Sequence, residues 1–167
     1  GDALTFDFTT LFSPGKKARV VGNLPYNIST PLLFTLFKHL NNIEDMHFLL
    51  QKEVVDRMVA PPNNKTYGRL SVMTQYFCKV EKLLHVPKGA FNPPPKVESS
   101  VIRLTPHRPL PYTAANFTQF SLIVREAFNH RRKTIQNALS AIIDRTTLEH
   151  VDIDPKKRPE QLSIEDY

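Results

Sequence analysis

Apolar positions along this chain change period several times, and each change marks a new element. Val20 and Val21 sit in a short β-branched run, Arg19 to Gly22, that reads as a buried strand. Pro25 removes a backbone donor and fixes φ, so the ladder has to end before it. Ser29-Thr30-Pro31 then reads as a helix start, a hydroxyl cap followed by proline at the first helical position. Ile28, Leu32, Leu33, Leu36, Phe37 and Leu40 recur at helical spacing, which predicts a helix over 30–40. The apolar run through Met46, Phe48, Leu49 and Leu50 predicts a second strand, in a parallel sheet covered on both faces. Strand, helix and strand make one right-handed βαβ unit and an α/β fold. Asn23 to Tyr26 then fall in the strand-to-helix turn, where open α/β sheets bind ligands.

Further along, Lys52 to Val59 reads as a helix that Pro61-Pro62-Asn63-Asn64 ends. Gly68 to Phe77 carries Leu70, Met73, Tyr76 and Phe77 on one side and predicts another helix. Lys79 to Pro87 and Val97 to Leu104 read as antiparallel strands. The stretch between them, Pro87 to Lys96, holds three consecutive prolines, which favour a rigid, extended polyproline arm. Phe91 on that arm has two readings, a cap on the core or a stacking platform for a base, and local sequence favours the cap. Residues 105–113 are broken by proline, and a domain boundary is expected at 105/106. Beyond it Phe117, Phe120, Val124, Ala127 and Phe128 space out one amphipathic helix, and Ile135, Leu139, Ile142 and Ile143 a second. Asn129-His130-Arg131-Arg132-Lys133 lies between them. Such a run is ordinarily a solvated face, and beside a cleft it clamps phosphates.

Composition narrows the chemistry. Lys plus Arg number 22 against 16 Asp plus Glu, a net charge of +6 that favours a polyanionic partner. One cysteine, Cys78, precludes an internal disulfide and favours a cytosolic setting. No apolar run has the length of a membrane span. The 6 histidines lack ligand spacing, so no metal site is expected. No Gly-x-Ser-x-Gly turn and no phosphate-cradling glycine loop occurs. What remains is the turn at Asn23-Leu24-Pro25-Tyr26 and the arm bearing Phe91. An amide, a carbonyl, an imino ring and a phenol suit a flat, amino-bearing heterocycle. With adenine there, the Asn23 amide oxygen and a carbonyl near Leu24 would accept hydrogen bonds from the exocyclic amine. That favours a pyramidal nitrogen with an available lone pair. Tyr26 and Phe91 would stack on the ring, and positioning rather than a shifted general base would carry the rate.

These residues also carry a resemblance. Asn23-Leu24-Pro25-Tyr26 resembles the target-amine motif of S-adenosylmethionine-dependent adenine-N6 methyltransferases. Phe91-x-Pro-x-Pro-x-Val97-x-Ser99, Tyr67-Gly68-Arg69-Leu70-Ser71-Val72 and Glu126 to Thr134 resemble segments of the ribosomal RNA branch. Together they are similar to the bacterial small-subunit ribosomal RNA adenine dimethyltransferase family, associated with kasugamycin sensitivity. The resemblance implies the C-terminal half of a Rossmann-like methyltransferase sheet plus a small all-α domain. It implies residues 1–105 as a partial methyltransferase domain and 106–167 as an RNA-binding helical domain, itself incomplete. Asn23, Leu24, Pro25, Tyr26 and Phe91 are the implied catalytic set, and Asp2 and Asn23 the implied contacts to S-adenosylmethionine. By charge alone Asp2 is a solvated acid. Arg69, Lys88, Lys96, Arg131, Arg132 and Lys133 are assigned to RNA backbone. The expected partner is small-subunit ribosomal RNA in an immature subunit, in the cytoplasm and away from membranes. Two alternatives are an adenine methyltransferase of the large-subunit RNA and a non-catalytic RNA-binding assembly factor. The family's glycine-rich cofactor loop has no counterpart here. The chain is therefore expected to be a fragment, inactive alone, with an exposed apolar sheet edge that invites self-association.

Overall fold

The computed structural model describes residues 2–25 and 27–167; Tyr26, expected in the target turn, lies outside the described residues. In chain order the strands and α-helices are β1 (Ala18–Asn23), α1 (Ser29–Phe37), β2 (Ile43–Gln51), α2 (Lys52–Val59), α3 (Arg69–Phe77), β3 (Cys78–Val86), β4 (Ser99–Pro106), α4 (Phe117–Asn129), α5 (Ile135–Leu139) and α6 (Arg145–His150). They cluster into two compact units: residues up to Asp56 with Phe77–Arg108, and Arg57–Tyr76 with Pro109–Tyr167. The sequence places one break, at 105/106. In the structure residues 57–76 group with the later helices, and Arg108 belongs to the sheet unit through its guanidinium, which donates to the carbonyls of Leu40 and Ile43.

The sheet unit has four strands in the order β1-β2-β4-β3. β1 pairs parallel with β2 around α1, as the βαβ pattern predicts, while β2–β4 and β4–β3 are antiparallel. Register puts Met46, Phe48 and Leu50 of β2 beside Leu104, Ile102 and Ser100 of β4, and all are buried. Full burial of an apolar side chain of this size contributes about 1.5–3 kcal/mol relative to exposure. The other face differs from the expected double cover: His47, Leu49 and Gln51 are half-buried, and Val21 is 73% exposed. The described elements leave that face partly open to solvent. β1 lies at one end of the sheet, with a neighbour on one side among the described strands.

Smaller departures have local causes. α1 begins at Ser29 with Ile28 as its cap residue and no side-chain cap, so Pro31 sits inside the first turn. Proline is tolerated there because the first N–H groups of a helix have no intrahelical partner. The helix expected through Ile143 stops at Leu139. Asp144 starts α6 instead, its carboxylate accepting from the Thr147 N–H at 2.7 Å and from both threonine hydroxyls. These hydrogen bonds, that of the Thr147 hydroxyl foremost, hold Asp144 below the usual carboxylate range. In the helical unit Ala127, Ile135, Leu139, Leu148, Ile153 and Leu162 form one buried cluster. The rings of Tyr67 and Tyr167 flank Phe128 at centroid distances of 5.9 and 6.0 Å.

Candidate functional site

The turn after β1 is shaped by what each residue can and cannot donate. Asn23 closes the strand, and the Leu24 N–H still reaches the Leu49 carbonyl, at 3.3 Å. Pro25 has no N–H to continue the ladder, and its carbonyl accepts from Ile28 at 3.2 Å, leading into α1. Leu24 folds inward, 8% exposed, while Asn23 and Pro25 stay exposed. Gly22 makes that inward fold feasible. A Cβ there would stand 3.0 Å from Leu24 Cδ2 and 3.7 Å from the Phe48 ring. Sequence reading gives Gly22 only a strand position, because the close approach comes from the turn folding back.

The proline arm faces this turn. It opens with a 3₁₀ turn, Lys88–Ala90, rather than running extended throughout, and its Asn92–Pro93 peptide is cis. Phe91 follows the 3₁₀ turn, its N–H donating to the Lys88 carbonyl at 3.3 Å, and its side chain is half-buried. The arm's far end is tied to the sheet where the Lys52 N–H donates to the Glu98 carbonyl, at 2.9 Å. Asn23, Leu24, Pro25, Phe91, Pro93 and Pro95 line a single pocket of about 290 Å³. That volume is at the small end of ligand sites, the scale of one heterocycle. Four of the five residues implied as catalytic thus meet; the fifth is Tyr26. Pro93 and Pro95 are additions, legible beforehand as rigidity and as members of the Phe91-x-Pro-x-Pro motif but not as lining of the site.

Asp2 is not among the residues lining this pocket. It is exposed, and its carboxylate accepts from the Leu4 N–H at 2.9 Å within its own turn. Lys88 and Lys96 are exposed on the arm, and Arg69 is exposed at the start of α3. In the helical unit α4 ends at Asn129, and the Lys133 N–H donates to the His130 carbonyl, at 2.8 Å, closing a tight turn before Thr134 caps α5. Asn129, His130, Arg131, Arg132 and Lys133 line a concavity of about 270 Å³. Arg131 is half-buried there, while Arg132 and Lys133 are exposed. Cys78 is buried, which pushes its thiol up to about 12 and removes it as a nucleophile. Among the described residues no group of His, Cys, Asp or Glu could hold a metal ion, and no helix is long and apolar enough to cross a membrane.

A family model, ribosomal RNA adenine dimethylase, matches residues 1–167. The chain belongs to that family. It is similar over its whole length, at 53% identity, to the ribosomal RNA small subunit methyltransferase A of Aliivibrio fischeri, of which it covers 61%. Similarity to the protein of that name from Pseudomonas aeruginosa is 55% over 98% of the chain, again covering 61% of the relative. The chain thus spans about three fifths of the length of these relatives. Its fold is similar to that of a dimethyladenosine transferase from Plasmodium falciparum, with a TM-score of 0.82, 29% identity, and coverage of 99% of this chain and 67% of that one. Likeness to the 23S rRNA methyltransferase ErmE, at a TM-score of 0.69 and 23% identity over 96% of this chain and 66% of that one, is a likeness of fold. The four-stranded sheet and its helices are accordingly part of a Rossmann-like methyltransferase fold of the adenine dimethylase family.

Proposed function

We propose that the protein to which this chain belongs is a small-subunit ribosomal RNA adenine-N6 dimethyltransferase, and that the pocket at the end of β1 holds the target base. The observation that carries this reading is the shared lining of that pocket by Asn23, Leu24, Pro25 and Phe91. An adenine seated there presents its exocyclic amine to the exposed Asn23 amide, whose oxygen accepts one N–H, and to a carbonyl of the turn. Those bonds hold the nitrogen with its lone pair directed outward. Phe91 stacks on the ring, and Tyr26 is assigned to the same task from its place in the motif. Unpaired loop adenosines are the natural class of substrate, because unstacking them costs less than opening a duplex.

The methyl donor of this reaction class, S-adenosylmethionine, supplies an electrophilic methyl group. The described residues form at most one side of a site for it. The Asp2 carboxylate is engaged by its own turn, and the pocket beside Asn23 has room on the scale of the base alone. The activity is therefore assigned to the longer protein, and the 167 residues by themselves are expected to be inactive. Exposed Arg69, Lys88, Lys96, Arg132 and Lys133 are assigned to RNA phosphates, each weakening as salt rises. Small-subunit ribosomal RNA in an immature subunit is the proposed partner, and the cytoplasm the proposed location. The open side of β1, with Val21 exposed, is proposed as a surface through which the isolated chain self-associates.

The test is methyl transfer to unmethylated small-subunit RNA by the chain extended to the length of its relatives, with mass spectrometry of the product. Dimethyladenosine at two adjacent loop positions, lost in Asn23→Ala, is the expected result. Label only in large-subunit RNA would transfer the reading to that substrate. Undiminished transfer by Asn23→Ala would overturn the site.

A further inference from the structure

The three cations of the basic turn are not equivalent. Arg131 points back into the helical unit. Its Nε lies 3.6 Å from Glu160 Oε2, and its Nη2 donates to the Asn64 carbonyl at 3.4 Å. The two side chains of the ion pair are 37% and 22% exposed. Glu160 Oε2 is buried and has no hydrogen-bond partner among the described residues, so the Arg131 guanidinium is what offsets its charge.

Glu160 is itself a junction. It lies in the 3₁₀ turn Pro159–Gln161, where its backbone carbonyl accepts from the Asn63 N–H at 2.7 Å and the Tyr167 hydroxyl donates to the Pro159 carbonyl at 2.9 Å. Asn63 has φ of 65°, so the loop after α2 makes a sharp left-handed bend as it meets this turn. Arg131 thus joins three segments distant in sequence: the 61–66 loop, the basic turn and the 159–161 turn. Arg132 and Lys133 have exposed side chains with no ion pair or side-chain hydrogen bond among the described residues.

We propose that Arg131 is a positioning residue, a strut between Glu160 and the Asn64 carbonyl, and that Arg132 and Lys133 are the cations of this turn that meet RNA phosphates. The division rests on the reading of the turn as an RNA site. A planar guanidinium suits the strut because it offers two donors in fixed directions, whereas an ammonium is a point charge. Phosphate neutralisation asks only for charge.

The test measures hairpin RNA binding by this chain across a salt series, together with thermal melting. Arg132→Ala and Lys133→Ala should each reduce the slope of log affinity against log salt by about 1 and leave Tm unchanged. Arg131→Lys should keep the slope but melt about 2–4 °C lower, as should Glu160→Gln. The double variant Arg131→Lys, Glu160→Gln should melt no lower than either single, because both remove one interaction. A normal Tm in Arg131→Lys together with a slope reduced by about 1 in Arg131→Ala would make Arg131 a phosphate contact and overturn the strut. Unchanged slopes in both Arg132→Ala and Lys133→Ala would overturn the RNA reading of the turn, and with it the division, whatever the melting of the Arg131 and Glu160 variants.

Discussion

Replacing Phe91 separates its two readings, because a stacking ring and a core cap fail differently. Phe91 is half-buried and lines an open pocket, unlike Phe48 or Phe120, which are 1% and 5% exposed. Truncating a fully buried Phe costs about 3–5 kcal/mol because it leaves a sealed cavity. At Phe91 the ring is in part already wet and the space stays open, so Phe91→Ala should cost about 1–2 kcal/mol, less than that range. Phe91→Leu restores apolar volume but not the π-face. Stacking is worth about 1–3 kcal/mol per base, a weakening of about 5- to 150-fold when lost. The assay is fluorescence anisotropy of a hairpin RNA with two adjacent unpaired adenosines, beside the same hairpin with abasic sites at those positions. Phe91→Leu should bind the adenosine hairpin about 5- to 150-fold more weakly, bind the abasic one as the unaltered chain does, and keep its Tm. Unaltered affinity in Phe91→Leu, with a melting loss in Phe91→Ala as large as that for a buried Phe, would refute the stacking role.

Other expectations concern the scaffold. Gly22→Ala places a Cβ 3.0 Å from Leu24 Cδ2, tighter than ordinary contact, and 3.7 Å from the Phe48 ring. It should lose about 1–2 kcal/mol by urea titration and weaken adenosine-hairpin binding, and an unaltered chain on both measures would contradict the packing. Asn116 caps α4, accepting from the Thr118 and Gln119 N–H groups at 3.0 and 3.1 Å. Asn116→Ala should cost about 1 kcal/mol, a fall in Tm of about 2–4 °C. Asp144 has its folded pKa depressed below its ordinary value of 3.8, so its contribution is present above that value and is lost as pH falls through the folded pKa. The Tm difference between the unaltered chain and Asp144→Asn should hold at pH 5–7 and shrink below about pH 3.8; a difference constant to pH 2 would count against the cap.

Strand and helix periods make the βαβ start, α2, α3 and the β3–β4 hairpin legible in the sequence, because these elements follow from local pattern and proline placement. α1 and α4 were also legible, although α1 begins without the side-chain cap its sequence suggests and α4 begins on an Asn116 cap whose hydrogen bonds a pattern does not show. The early stop of α5 was not. Ile142 and Ile143 continue a helical spacing, but Asp144 gains more by capping a new helix than by lying inside the old one. The grouping of residues 57–76 with the later helices was likewise out of reach, since it rests on contacts between segments far apart in the chain.

For the site the division is similar. The motif residues at 23–25 and 91 named a nucleobase as ligand from their chemistry and family resemblance. Only the fold could bring Phe91, 68 residues downstream, against the end of β1, and only it could show that Gly22 gives Leu24 the room to turn inward. The run Arg131-Arg132-Lys133 reads as three equal charges in one dimension. Backbone direction at the end of α4 turns one of them toward a half-buried carboxylate and leaves two in water, and that inequality exists only in three dimensions.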